Sequence, residues 1–355
     1  MSSSEAFKKL NGPLGPSVQV EGERYLYFGG TAYLGMPVNR EFLALYQEGL
    51  QRYGINNGTS RNNNIQLGIY DQAEQEAASR FGAASSLVMS SGYLAAQLCI
   101  RALAPSGQLE YAPGCHPALW LGLNAGPSES FSAWAEGFVA RVNASAEENW
   151  VVVSNSMNNL LPEIYDFSFL KRIAPQKRIL LLVDDSHGIG VLEGGLGVYG
   201  GLQALFALEN PNIEVIVVAS MAKALGVDAG LILGTEARML AFKRTNEFAG
   251  ASPPAAASLY AFKEGTTLYR KSFEQLKALQ EQMLAALRDR EDFSYVPGFP
   301  VYLSQKQDLE ERLLEKNILI SSFPYPDQNG PALNRIILCS WHTPEDIRCL
   351  LAGLS

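Results

Sequence analysis

Two periods alternate along the first two thirds of this chain. Short apolar runs, Ser86-Leu-Val-Met89, Ile179-Leu-Leu-Leu-Val183 and Ile213-Glu-Val-Ile-Val-Val-Ala-Ser220, have the length and branched character of strands buried on both faces. Between such runs the spacing turns helical. From Phe42, apolar positions fall at 42, 45, 46, 49, 50 and 53, one helix face that Gly54 ends, and a second helix is predicted from Ile69 to Arg80. Residues 17–28 alternate around Glu21-Gly22-Glu23, which predicts a small hairpin, and 55–68 form a polar Asn/Gly loop. The alternation runs to about residue 235 with no internal repeat, and it implies parallel strands joined by crossover helices. Ser252-Pro-Pro254 interrupts it. Beyond that point a long helix is expected over 255–290, followed by strands at 301–303, 318–320 and 335–338, an α+β tail. The expected layout is an N-terminal arm and hairpin over 1–40 that joins a small domain, a large α/β domain over 41–252, and the small domain itself over 253–355.

Composition narrows the class. A chain of 355 residues is too long for one typical core, which agrees with two domains. Apolar content of 47% and charge of 18% are those of an ordinary globular protein. A net charge of −8 argues against nucleic acid as the main partner. The four cysteines, at 99, 115, 339 and 349, have no metal-ligand spacing and read as reduced thiols. No stretch reaches 18 uninterrupted apolar residues and the first sixteen residues lack a signal-like run, so a cytoplasmic protein without a membrane partner is expected.

The chemistry gathers at predicted strand ends, where α/β sheets place their sites. One strand ends in Asp184-Asp185-Ser186-His187, and a later one ends in Ser220, three residues before Lys223. A lysine for a Schiff base and an acid facing a ring nitrogen are what pyridoxal phosphate requires of a protein. Ser90-Ser91-Gly92-Tyr93 lies between a strand and a helix, where free amides suit a phosphate and where a plain N-cap is the simpler reading. His116 is placed to stack on a cofactor ring or to serve the loop structurally. Asp184 is either the ring-nitrogen partner or a helix cap, and His187 either bonds a phenolic oxygen or caps a turn. Lys223, on an apolar flank, is expected to feel desolvation, which lowers an amine's pKa; a plain surface lysine is the alternative. Two motifs are set aside. Ser220-Met-Ala-Lys223 has the Ser-x-x-Lys spacing of penicillin-recognising enzymes, but the accompanying Ser-Asp-Asn and Lys-Thr-Gly are absent. Gly195-Leu-Gly197-Val-Tyr-Gly200 does not directly follow a strand and has no acid about twenty residues on.

Assembled in order, these residues resemble the α-oxoamine synthase family, a branch of the fold-type-I pyridoxal-phosphate enzymes. The resemblance runs from about Tyr25 to Ile347. Tyr33-Leu-Gly35, Ser91-Gly92-Tyr93, His116, Asp184-Asp-Ser-His187 and Ser220-Met-Ala-Lys-Ala-Leu-Gly226 match the family's motifs, and Arg335 falls where the family's arginine holds an amino-acid carboxylate. The resemblance implies an α/β fold whose large domain has a mostly parallel seven-stranded sheet. It also implies pyridoxal 5'-phosphate as cofactor, amino acid and acyl-CoA as substrates, and a homodimer with its active site at the interface. Ser91, Gly92, Tyr93, His116, Asp184, His187, Ser220 and Lys223 would then bind the cofactor; Lys223, His116, Asp184 and His187 would be catalytic. Departures occur at Thr31-Ala32, at Asp71, at Ser156-Met-Asn-Asn159 and at Ala249-Gly-Ala251. Condensation of an amino acid with an acyl-CoA is the leading reading, with transamination on the same fold and a non-catalytic binding homologue as alternatives.

Overall fold

A computed structural model describes residues 7–122, 127–158, 160–206, 210–324 and 330–354. In chain order the strands are β1 Ser17–Val20, β2 Glu23–Phe28, β3 Ser85–Met89, β4 Gln108–Tyr111, β5 Asn149–Asn155, β6 Met157–Asn158, β7 Glu163–Ile164, β8 Arg178–Asp184, β9 Ile213–Ser220, β10 Gly230–Gly234, β11 Phe293–Ser294, β12 Val301–Ser304, β13 Ile318–Pro324 and β14 Ala332–Ile337. The α-helices are α1 Arg40–Tyr53, α2 Ile69–Phe81, α3 Gly92–Leu103, α4 Phe131–Ala144, α5 Tyr199–Phe206, α6 Glu236–Lys243, α7 Asn246–Gly250, α8 Ala256–Glu264, α9 Thr266–Leu287, α10 Leu309–Leu314 and α11 Pro344–Leu354.

The first sheet has the order β3-β10-β9-β8-β5-β4. Neighbours from β9 to β4 pair in parallel, and β10 runs against both β9 and β3. Chain length explains the reversed strand. Only residues 221–229 link β9 to β10, too few for a crossover helix, so the chain turns straight back. The core strands are buried almost end to end, as β8 and β9 illustrate, which accounts for their continuous rather than alternating hydrophobicity.

The fold class matches the expectation, but the described residues give six strands to this sheet, not seven. Where a further edge strand would follow β4, the chain carries Pro113, Gly114 at φ +66° and Pro117, which opens a 3-10 turn over Pro117–Leu119. The left-handed glycine and the 3-10 turn bend the chain away from an extended path, and the described residues here form no strand.

The second sheet, β1-β2-β13-β14-β12-β11, joins the two ends of the chain. The predicted hairpin forms with Glu21 and Gly22 at its turn, and β2 pairs in parallel with β13, Ile318 opposite Leu26. The long helix expected over 255–290 is two helices. Gly265 separates α8 from α9, and a Cβ there would stand 2.7 Å from the carbonyl of Ala261.

One polar knot pins the 55–68 loop to the first sheet. Arg61 donates to the Val88 carbonyl at 2.6 Å and pairs with buried Glu74 at 3.3 Å, its guanidinium 4.5 Å from the Phe248 ring and 5.1 Å from that of Tyr70. Burial raises the Glu74 pKa, while Arg61 and Lys243, the latter at 3.2 Å, act to lower it. Arg61→Ala leaves a buried carboxylate and carbonyl short of a donor, and should cost about 1–3 kcal/mol in urea unfolding at pH 7. A loss below about 0.5 kcal/mol, the range of a neutral surface change, would contradict this account.

Candidate active site

The carboxyl ends of β5, β8 and β9, the start of α3 and the loop after β4 meet on one side of the first sheet. With β13 and β14 from the second sheet they enclose a cavity of about 530 Å³. Gly92, Tyr93, His116, Asp184, His187, Ser220, Lys223 and Arg335 all line it. Ser91 sits just behind, where its hydroxyl accepts from the Leu94 amide as the cap of α3.

The β9–β10 link places the lysine. Met221 N–H donates to the Ala229 carbonyl at 2.9 Å and Val227 N–H to the Met221 carbonyl at 3.1 Å, so Lys223 projects from a tight, internally bonded loop. Desolvation lowers its pKa, and the opposing carboxylate of Asp184 only partly offsets this. Asp184 ends β8 opposite Asn155 on one side and Val218 on the other. Its Oδ1 accepts from the Ser186 amide at 2.9 Å, and Ser186 Oγ accepts from the Ser220 amide at 2.8 Å, which ties the ends of β8 and β9 together.

The start of α3 is pressed onto the same strand ends. A Cβ on Gly92 would lie 2.7 Å from Ser220 Cα, and one on Gly230 would lie 2.1 Å from the Ser91 carbonyl oxygen. Only glycine lets the backbones approach so closely. The Leu94 and Ala95 amides are taken by Ser91. The amides of Gly92 and Tyr93, at the first positions of the helix, have no intrahelical partner, and Gly92 packs against Ser220 at the positive end of the helix dipole. Donors so arranged could hold a phosphate.

The two histidines are fixed from behind. His187 Nδ1 is 2.8 Å from the Tyr33 hydroxyl. Its pKa is pulled well down, first by desolvation and then by Lys223, Arg335 and His116, so the ring is neutral at pH 7. The His116 loop hangs on Asn155, which donates to the Gly114 carbonyl at 2.7 Å and accepts from the His116 amide at 3.1 Å. His116 Nδ1 accepts from the Ala118 amide at 3.2 Å, so the neutral ring carries its proton on Nε2; desolvation lowers its pKa as well. Arg335 comes from the second sheet, buried, with its guanidinium 4.9 Å from the Phe323 ring and its pKa lowered by desolvation.

Tyr33, Asn155 and Ser186 act through other residues; Tyr33 and Ser186 lie inside the motifs Tyr33-Leu-Gly35 and Asp184-Asp-Ser-His187, but no spacing rule gives any of the three its positioning role. Of the departures, Asp71 is exposed on α2 and absent from the cavity wall, Asn158 lines the wall, and Asn159 lies outside the described residues.

Residues 118–354 match the model of the aminotransferase class I and II family, more than half of the chain. The chain belongs to that family. Among curated relatives it is similar to an 8-amino-7-oxononanoate synthase of Pseudomonas putida, 27% identical over 98% of this chain and 91% of the relative. One from Pseudomonas syringae is 26% identical over 97% and 90%. Solved structures share the fold. A serine palmitoyltransferase of Sphingomonas wittichii superposes with TM-score 0.81 at 19% identity, covering 97% of this chain and 90% of that one. An 8-amino-7-oxononanoate synthase of Francisella tularensis gives 0.70 at 20%, covering 93% and 96%.

Within this family fold, Asp185 is a second carboxyl that the sequence pattern did not single out. It is 1% exposed, and its Oδ2 accepts from the Val198 amide at 2.9 Å. The set-aside glycine motif finds its structural reason here. A Cβ on Gly197, at φ +71°, would come within 2.4 Å of Asp185 Oδ2, and one on Gly188 within 2.0 Å of Oδ1. Ser156 lies alongside, yet neither its hydroxyl nor Asp185 Oδ1 completes a hydrogen bond of ordinary geometry. Burial pushes the Asp185 pKa up to about 7, with the Ser156 hydroxyl and the Val198 amide acting in the opposite direction. Between the unfolded value near 3.8 and the folded value near 7, the native state binds a proton that the unfolded chain has lost. Stability therefore falls as pH rises across that window and levels off above it. Asp185→Asn removes this slope. Urea midpoints at pH 5 and pH 8 should show the variant gaining on the parent at the higher pH; an equal difference at both would rule the account out.

Proposed function

We propose that this chain is a pyridoxal-phosphate-dependent transferase that condenses an amino acid with an acyl-CoA thioester. The observation that carries the reading is the convergence in one cavity of a desolvated lysine, a strand-end carboxylate, a phosphate cradle and a buried arginine. The donor set fits the cofactor part by part. The Gly92 and Tyr93 amides with Ser220 would hold its phosphate, Asp184 its ring nitrogen, His187 its phenolic oxygen and Lys223 its aldehyde carbon, while His116 would stack on the ring. One neighbour in the fold, at TM-score 0.80 and 20% identity, was solved with PLP. Bound there, pyridoxal phosphate supplies an electron sink for charge developing at the substrate Cα.

The remaining work falls to the chain's own residues. Arg335 grips the amino-acid carboxylate by charge-assisted hydrogen bonds and so orients the bond to be broken. Lys223, its pKa lowered toward the working range, holds or delivers a proton at Cα. Asp184 keeps the ring nitrogen protonated. His187 stays neutral and acts as a hydrogen-bond partner rather than a charge. Transamination would need the same lysine, acid and arginine. Condensation is favoured because the curated relatives are named for it and because the cavity extends past Arg335 along Phe323, Leu333 and Leu161, which leaves room for a second substrate. We also propose a homodimer as the working assembly, on the family resemblance. No helix among the described residues is long and apolar enough to cross a membrane.

Borohydride reduction of the purified holoenzyme should fix the cofactor to Lys223, and Lys223→Ala should abolish the covalent label. A label at another lysine would overturn the assignment. Arg335→Ala should keep the cofactor's absorbance and weaken amino-acid binding by about 1.5–3 kcal/mol, roughly ten- to a hundredfold, in spectral titration. An unchanged titration would remove Arg335 from the site. Coupled thiol-release assays with amino acids and acyl-CoAs test the reaction itself; amino-group exchange with no thiol release would favour transamination instead.

A further inference from the structure

The cavity does not end at Arg335. On β14, Leu333 lies two residues from Arg335 and shares its face; Phe323 stands opposite Leu333 across the β13–β14 pair. Roughly 7 Å from Arg335, two strand residues along β14, this side of the wall is the apolar Leu333–Phe323 pair. The turn between β6 and β7 lines the same cavity. There Asn158 Oδ1 accepts from the Leu160 and Leu161 amides at 3.0 and 3.1 Å and fixes a turn whose two leucines line the cavity.

The charge pattern is equally one-sided. Lys223 and Arg335 are the only lysine or arginine among the described lining residues, and both are committed to the chemistry at the inner end. Beyond Arg335, the described lining residues Leu160, Leu161, Phe323 and Leu333 are all uncharged. A chain ending in a carboxylate would bring its charge against leucine and phenylalanine with no cation among the described lining residues to pair with it, so it gains no charge-assisted bond there.

Building on the acyl-transfer reading, we infer that the acyl donor carries an uncharged aliphatic chain, seated between the Phe323–Leu333 pair and the Leu160–Leu161 turn. This separates the chain from the reaction for which its curated relatives are named, since an 8-amino-7-oxononanoate ends in a carboxylate.

The test uses the holoenzyme and two thioethers that bind but cannot transfer an acyl group, S-octyl-CoA and its ω-carboxylated counterpart. Calorimetry should find the uncharged thioether bound at least about tenfold more tightly. Equal affinities, or tighter binding of the carboxylated one, overturn the inference. Leu161 is 54% exposed, so Leu161→Arg should fold normally. This variant should narrow the preference by about tenfold by offering the missing cation; an unchanged preference would place the chain elsewhere and overturn the inference. Thiol release from the two corresponding thioesters is measured separately. If neither thioester releases thiol while the octyl thioether still binds selectively, the acyl-transfer reading fails and the preference for an uncharged chain stands.

Discussion

The contact between the start of α3 and the end of β9 is the constraint on which the rest of this site depends. Gly92 lies so close to Ser220 that a single methyl would meet its Cα at 2.7 Å, and Gly230 answers from β10 against the Ser91 carbonyl. That approach brings a helix dipole, two free amides and Ser220 together. It also fixes where the β9–β10 link begins, and so how far Lys223 can reach. Because β10 turns back after only nine residues, the lysine is carried on a short bonded loop, not on a flexible crossover. The hydroxyl of Ser186, bonded to the Ser220 amide, passes the same reference point to the end of β8 and to Asp184. Cradle, lysine and acid are positioned by one junction.

How much of this could be read from the sequence follows from what each signal depends on. Strand runs such as 213–220 appeared with their observed limits, because a doubly buried strand leaves a continuous apolar run. The helix beginning near Phe42 was legible because one face is buried, and Asn39 caps it where the pattern starts. The cavity residues were legible because strand-end chemistry obeys a topological rule and because the order of the motifs is specific. The break at Gly265 was not, since hydrophobic spacing on α8 and α9 continues through it; the break appears only once the close approach to Ala261 is known. The seventh strand was an expectation from resemblance, and a positive-φ glycine and a 3-10 turn after β4 overrode it in the described residues. Asn155 escaped, and Tyr33 and Ser186 stood inside matched motifs without their positioning roles being legible, for a different reason. Each positions a neighbour through one hydrogen bond across a large sequence distance, and no local period encodes such a pairing.

The Gly195-x-Gly197 motif shows how a motif can be real and still mean something else. It is not a dinucleotide loop, as its context already indicated. It is part of a collar of small residues around Asp185, a carboxyl buried immediately behind the acid that faces the cavity. Burying an acid there costs stability as pH rises. Main-chain bonds of Asp185 and its link to Val198 hold the turn from which His187 reaches Tyr33, so the buried group is structurally coupled to the site it does not touch.

The charge pattern of the cavity completes the argument. Lys223 and Arg335 are both desolvated enough to have lowered pKa values, and the described cavity wall sets one carboxylate, Asp184, against them. Both histidines are pushed toward neutrality by the same surroundings. Such an arrangement disfavours further cations and favours anionic groups that can bond to several donors at once. A phosphate at the α3 cradle and a carboxylate at Arg335 meet that requirement at two points, with the apolar Phe323–Leu333 pair beside the second. A ligand that satisfies both binds the folded chain and not the unfolded one, so its binding adds directly to stability. The desolvation that lowers the lysine's pKa is thus the same physical cause that selects what enters the cavity.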